Sequence, residues 1–405
     1  MAVPFYRPSI TEAEIAEVLD TLRSGWLTTG PKTKLFEERF AAYAGCKHAV
    51  AVNSCTAALH LALEAIGIAR GDLVLVPAMT FTATAEVVRY FDAVPVLVDC
   101  EPETFCLDSA QARRILEDLR AGKPVAGVAK EAIRPPKAIL PVHFGGQMAD
   151  VDAIEALAKE FDLFVIDDAA HTPPAAFRSH AGAPWRKVGT TADITCFSFY
   201  PNKPITTGEG GMATTDNAAW ADRMRVMSLH GISKDAWKRY SGAGSWYYEI
   251  VAPGFKYNLT DIAAALGVVQ LSRVDELHAG RRRAVERYAE ALAGEETVIP
   301  PSEHPDRLHA WHLYIIRLKL DKLRIDRGAF IAEMQRRGIV CSVHFIPLHL
   351  HPYWRETYHL APEQFPEADR LYREIVTLPL FPGMTDAEIA EVTGAVREIC
   401  EANRR

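Results

Sequence analysis

Cysteine is scarce and unpatterned in this chain. Cys46, Cys55, Cys100, Cys106, Cys196, Cys341 and Cys400 are odd in number, scattered, and form no Cys-x-x-Cys pair. That argues against a disulfide framework and a zinc site, and predicts reduced thiols in a cytoplasm. Positive charge is in deficit: 45 Lys and Arg face 52 Asp and Glu, a net charge of −7. A nucleic-acid binder shows the opposite balance, and no basic run interleaved with aromatics is present. No segment approaches the roughly 20 apolar residues of a membrane span. The opening Met-Ala-Val-Pro-Phe-Tyr-Arg-Pro lacks the apolar core of a signal peptide. Internal repeats and low-complexity tracts are missing. His143, His230, His344 and His349 are too dispersed for metal-ligand spacing, so no metal is expected.

What is present fits a large globular protein. A chain of 405 residues, 49% hydrophobic and 24% charged, is too long for one typical domain. Short Val/Ile/Leu-rich runs predict strands at Ala49–Val52, Leu73–Pro77, Val94–Val98, Ala138–Val142, Leu163–Asp167 and Ile194–Phe199. Helical patterns alternate with them, at Thr56–Ile66, Ala83–Tyr90 and Asp150–Phe161 among others. This rhythm predicts an α/β fold with a mostly parallel sheet between helices. Residues Arg120 to Pro136 read as an inserted loop. From Ile262 to Ala293 the spacing predicts one long helix linking two domains. Beyond it, Leu313–Leu318, Arg327–Arg337, Val340–His344 and Asp386–Glu398 predict a smaller α+β domain. The division is residues 1–260 and 261–405.

Lys203 carries the chemistry. It lies in Cys196-Phe-Ser-Phe-Tyr-Pro-Asn-Lys203-Pro-Ile-Thr-Thr-Gly-Glu-Gly-Gly211, five residues after Ser198 and just before a glycine-rich turn. A lysine in a stiff loop beside a hydroxyl suits a Schiff base with pyridoxal phosphate, the hydroxyl helping to hold the phosphate. Leu163-Phe-Val-Ile-Asp167-Asp168-Ala-Ala-His171 ends a buried-type strand in two carboxylates, either of which can partner a pyridine nitrogen. In Val52-Asn-Ser54-Cys-Thr56-Ala57, Ser54 or Thr56 is placed to cap a helix whose free N–H groups suit an anion. Phe81, directly after a strand, is placed either to stack on a flat ring or to join the core. Cys55 and Cys196 read as small packing residues, because neither has an evident base.

Taken together these segments resemble the DegT/StrS sugar aminotransferases, enzymes of the fold type I pyridoxal-phosphate class. The resemblance spans Ser24-Gly-Trp-Leu-Thr-Thr-Gly-Pro31, Asn53 to His60, Thr80 to Thr84, Pro141 to Gln147, Ile166 to His171, Ser198 to Lys203, Thr207 to Gly211 and Tyr257 to Asp261, in family order. It implies that Lys203 binds the cofactor covalently and that Asp168 pairs with the pyridine nitrogen. His171 would sit beside the ring and Phe81 would stack on it. Ser198, Thr56 and the backbone of Ala57 would hold the phosphate. Asn258 would reach the phosphate of the other subunit, which implies a homodimer with shared active sites. Cys55 stands where the family usually has glycine. The implied reaction moves an amino group from L-glutamate to a nucleotide-linked keto-sugar, with C-4 of a 4-keto-6-deoxyhexose or keto-pentose favoured. C-3 keto-sugars, keto-cyclitols and a non-catalytic pyridoxal-phosphate-binding regulator are the alternatives. His344 to His351 falls where relatives contact the sugar nucleotide.

Overall fold

The computed structural model describes residues 2–233 and 247–405. Its main sheet contains β1 (His48–Val52), β2 (Leu73–Pro77), β3 (Val94–Val98), β4 (Ala138–Ile139), β5 (Phe164–Asp168), β8 (Ile194–Ser198) and β9 (Gly211–Thr215). The spatial order is β1-β9-β8-β5-β4-β2-β3. Only β9 runs against the others. A small sheet joins β6 (Ala176–Phe177) to β7 (Arg186–Lys187) and β11 (Arg307–Leu308), and a second joins β10 (Val298–Ile299), β12 (Tyr314–Leu318) and β13 (Ile375–Leu378). Every residue of β2, β8 and β9 is buried, as expected for strands covered on both faces.

Helices cover the sheet: α1 (Glu12–Ser24), α2 (Pro31–Ala44), α3 (Cys55–Ala65), α4 (Ala83–Arg89), α5 (Ser109–Arg120), α6 (Val151–Phe161) and α7 (Ala218–Ser228). Then come α8 (Asp261–Ser272), α9 (Val274–Leu292), α10 (Arg327–Arg336), α11 (Pro352–Tyr358), α12 (Pro366–Glu374) and α13 (Asp386–Ala402). Local chemistry sets several ends. Thr11 and Glu14 form a capping box on α1, and left-handed Gly25 closes it. Helix α2 opens on Pro31, and the buried Asp261 carboxylate accepts from the N–H groups of Gly30, Lys32 and Thr33. A side chain from the first turn of α8 thereby caps α2.

Several expectations need correction. The single long helix is two, broken at Arg273, whose guanidinium reaches buried Glu14 on α1 at 2.5 Å. Val340–His344 forms no strand. Only Ser342 bridges to Thr377, and β13 takes the place beside β12. Strand β4 stops at Ile139, short of Val142. The stretch after α5 is a loop apart from a short 3-10 turn at Lys130–Ala132. No helix among the described residues is long and apolar enough to cross a membrane.

One apolar core wraps the central sheet and includes Leu348, Trp354, Phe365 and Ile375 from the C-terminal part. Another is built from α9, β12, β13 and α13.

Candidate active site

The carboxyl ends of β5 and β8, the start of α3, and the turn after β2 meet at a cavity of about 480 Å³. Thr56, Phe81, Asp168, His171, Ser198 and Lys203 all line it. Helices feeding parallel strands bring these distant segments to one edge of the sheet.

Adjacent residues of a strand point to opposite faces, and that separates the two carboxylates. Asp168 faces the cavity. Its Oδ2 accepts from Thr84 Oγ1 at 2.8 Å, and its Oδ1 accepts from the Ala170 N–H at 3.1 Å. Asp167 turns the other way, accepting from Thr191 Oγ1 at 3.0 Å with His143 Nε2 at 3.2 Å. Burial raises the pKa of Asp168, against the pull of Thr84, Ala170 and Lys203.

Lys203 sits in the reversal between β8 and β9. Phe199 N–H donates to Gly210 O at 2.9 Å, and Thr207 N–H returns to Phe199 O at 3.0 Å. Gly211 follows, paired with Ser198 on one side and Val52 on the other. A Cβ at Gly211 would lie 2.4 Å from the carbonyl carbon and oxygen of Ser54, so only glycine lets this loop close onto the start of α3. Protein surrounds the Lys203 amine, and desolvation lowers its pKa from 10.5 to about 8, with Asp168 and then Cys55 opposing.

Ser54, not Thr56, caps α3: its Oγ accepts from the Ala57 N–H at 3.0 Å. Ala57 therefore has its N–H engaged, and it does not line the cavity. The N–H groups of Cys55 and Thr56 have no intrahelical acceptor. The Cys55 sulfur lies 4.0 Å from Asp168 Oδ1, and burial, then Asp168, pushes its thiol pKa well up. Phe81 is 59% exposed at the mouth, its ring 6.0 Å from that of Phe345. Asn258 lies outside this cavity. Its Nδ2 donates to Thr29 Oγ1 at 2.7 Å, beside another cavity of about 660 Å³.

Sequence reasoning missed three contributors. Thr84 holds Asp168 from α4. Gly145 donates its N–H to His171 Nδ1 at 3.0 Å, which makes that nitrogen an acceptor and leaves the proton on Nε2. His312 lines the cavity with its ring 4.7 Å from that of His171. Burial first, and then Lys203, holds both imidazoles well below the usual range. His312 carried no motif signal, standing three residues after His309 and just before β12.

These residues fit pyridoxal phosphate. Asp168 and Lys203 are each disfavoured in their charged forms by burial. A ring-nitrogen cation beside the carboxylate and an aldehyde carbon beside the amine would satisfy both. The Ser198 and Thr56 hydroxyls and the open end of α3 provide donors for a phosphate. Fold and site together define a fold type I, pyridoxal-phosphate-dependent aminotransferase. The chain belongs to the DegT/DnrJ/EryC1/StrS aminotransferase family, whose model matches residues 8–397. It is 43% identical over 399 residues to the spore coat polysaccharide biosynthesis protein SpsC of Bacillus subtilis, covering 98% of this chain and 97% of that protein. Among solved structures it resembles Spr1654 of Streptococcus pneumoniae in its PMP form, at 34% identity and TM-score 0.86 over 99% of each chain. It also resembles DesV of S. venezuelae in complex with a ketimine intermediate, at 31% identity and TM-score 0.81 over 96% of this chain and 94% of that one.

Proposed function

We propose that the protein transfers the amino group of L-glutamate to a nucleotide-linked keto-sugar, at C-4 of a 4-keto-6-deoxyhexose or keto-pentose. The observation that carries the reading is that the Lys203 amine and the Asp168 carboxylate, both buried, line one cavity at the carboxyl ends of β5 and β8. A sugar acceptor is supported by the likeness to a polysaccharide biosynthesis protein. Preference for C-4 rests on the Gly25–Pro31 and Lys256–Thr260 segments.

In this reading Lys203 binds the cofactor and Asp168 holds its ring nitrogen. Ser198, Thr56 and the N–H groups opening α3 hold the phosphate, joined by Asn258 of the partner subunit. Phe81 covers the ring and His171 stands beside it. Bound pyridoxal phosphate supplies a carbonyl that exchanges amines and a ring that accepts electron density from the reacting carbon. Lys203, its pKa lowered to about 8, would give up its proton far more readily than a free lysine and would carry the proton from the donor Cα. Asp168, fixed by Thr84 and Ala170, would hold a proton on the ring nitrogen. The working form is a homodimer in the cytoplasm, each chain divided into residues 1–260 and 261–405.

Visible absorption of the purified protein tests this. L-Glutamate should bleach the cofactor band in the parent and leave Lys203→Ala unchanged, and a 4-keto-sugar nucleotide should restore it. A band indifferent to L-glutamate would overturn the donor. Restoration by 3-keto substrates or keto-cyclitols alone would overturn the acceptor.

A further inference from the structure

His312 stands in the cavity wall against His171. Its Nδ1 is buried and meets no hydrogen-bond partner among the described residues. The neighbouring imidazoles are engaged: His171 Nδ1 accepts from Gly145, and His344 Nδ1 bonds Thr377 Oγ1 at 2.9 Å. A sealed nitrogen without a partner is tolerated as a lone pair far better than as an N–H. The proton of His312 therefore belongs on Nε2, which makes that nitrogen the ring's hydrogen-bond donor.

The backbone around His312 is built to hold it there. Its N–H donates to Gly145 O at 3.0 Å, and Ala310 N–H donates to Gly146 O at 2.8 Å. Trp311, just before it, takes the left-handed φ of +49°, a strained choice for a large side chain. Its ring stacks on His309 at 4.0 Å, and its N–H donates to His309 Nδ1 at 2.8 Å. Arg281, buried and meeting no carboxylate among the described residues, donates to the carbonyl oxygens of His312 and Leu380 at 3.3 and 3.1 Å. The Trp311 turn and the Arg281 guanidinium both hold the backbone that carries this imidazole.

We propose that His312 is a catalytic residue whose neutral Nε2–H donates to the carbonyl oxygen of the substrate at the carbon that exchanges nitrogen for oxygen. This rests on the aminotransferase reading above. Each half-reaction passes through a free carbonyl compound, the 2-oxo acid leaving or the keto-sugar arriving. That carbonyl must lie near Lys203, whose amine works on the same atoms. A neutral imidazole in an enclosed site polarises a carbonyl by hydrogen bonding and keeps its own proton.

The test compares His312→Phe, which keeps a ring against His171, with His312→Gln, which restores a donor near Nε2. Both should load the cofactor with the parent spectrum and keep the parent melting temperature. Phe should lower kcat about 100-fold with KM within a fewfold, the scale of losing one such donor, and Gln should recover most of it. A second readout needs no turnover: calorimetric titration of 2-oxoglutarate into the lysine-linked holoenzyme, a dead-end complex. Its Kd should weaken up to about tenfold in Phe and recover in Gln. Parent-like kcat and Kd in the Phe variant would overturn the proposal, as would equal losses in both variants accompanied by lowered melting temperatures. A parent that ignores L-glutamate would fail the donor assignment instead, a result visible before any variant is made.

Discussion

His171 and His312 are held by the two ends of one residue: Gly145 gives its N–H to the ring of His171 and takes the backbone N–H of His312 on its carbonyl. The next residue, Gly146, sits at φ +107°, and a Cβ there would lie 2.9 Å from that of Ala310. Gly146→Ala should displace the turn and both imidazoles with it. Expected are a drop in kcat of tenfold or more and destabilisation of about 1–3 kcal/mol, measured by steady-state rates and urea unfolding.

The Lys203 amine titrates far below a free lysine, and this has a sign that can be checked. Below about pH 8 both folded and unfolded chains carry the proton, so the folded protein bears the full penalty of burying it. Between about 8 and 10.5 the unfolded chain holds the proton and the folded one does not, so the contribution to stability rises with pH. The gain is on the order of 3 kcal/mol over the whole window, roughly 2 of it between pH 7.5 and 9.5. Urea midpoints of cofactor-free protein at pH 7.5 and 9.5 should show it in the parent, and Lys203→Met should abolish that component.

Asp167 and Asp168 should separate cleanly. Asp168→Asn should leave the fold intact and lower kcat by about 100-fold or more, as expected when a charge that faces reacting atoms is removed. Among the described residues the Asp167 carboxylate meets His143 and Thr191, so the effect of Asp167→Asn should appear in melting temperature with the cofactor spectrum unchanged.

Gly211→Ala tests the joint between the lysine loop and α3. The added carbon meets backbone, not a flexible side-chain end, so the loop must move. Cofactor affinity should fall at least tenfold, read by equilibrium titration of pyridoxal phosphate. Retained affinity would show that the phosphate corner does not depend on this contact.

Asp261→Ala tests the cap on α2. The carboxylate takes three backbone N–H groups and the Thr33 hydroxyl, all at 2.7–3.0 Å. Its loss should destabilise by roughly 2–4 kcal/mol, above the range of a single cap. Activity per folded molecule should change little.

The parts most legible in the sequence are those whose signal is local. Buried strands such as Leu73–Pro77 read directly from Val/Leu density, and Lys203 from its loop. Strand β9 was missed because Gly-Met-Ala-Thr-Thr is poor in β-branched aliphatics, although all of it is buried. The break at Arg273 was hidden because helical spacing runs through it, while the reason lies on α1 in Glu14. The choice between Ser54 and Thr56 as cap turns on a single hydrogen bond, and Asp167 against Asp168 on strand parity. His312 was illegible for a deeper reason: its importance resides in what surrounds it, from Gly145, Trp311 and Arg281, and no spacing along the chain encodes that.

The hairpin that carries Lys203 also orders events in time. Strands β8 and β9 are neighbours in sequence and in space, so the lysine loop closes over a short stretch of chain. Strand β1 pairs with β9 across a far longer one, Val52 meeting Gly211. Nearby contacts form sooner than distant ones because closing a long loop sacrifices more chain entropy. On contact distance alone the lysine loop is expected to form ahead of the pairing that seats β1 and α3 beside it. The rate of cofactor capture by refolding chains should therefore follow the β1–β9 pairing and not the hairpin.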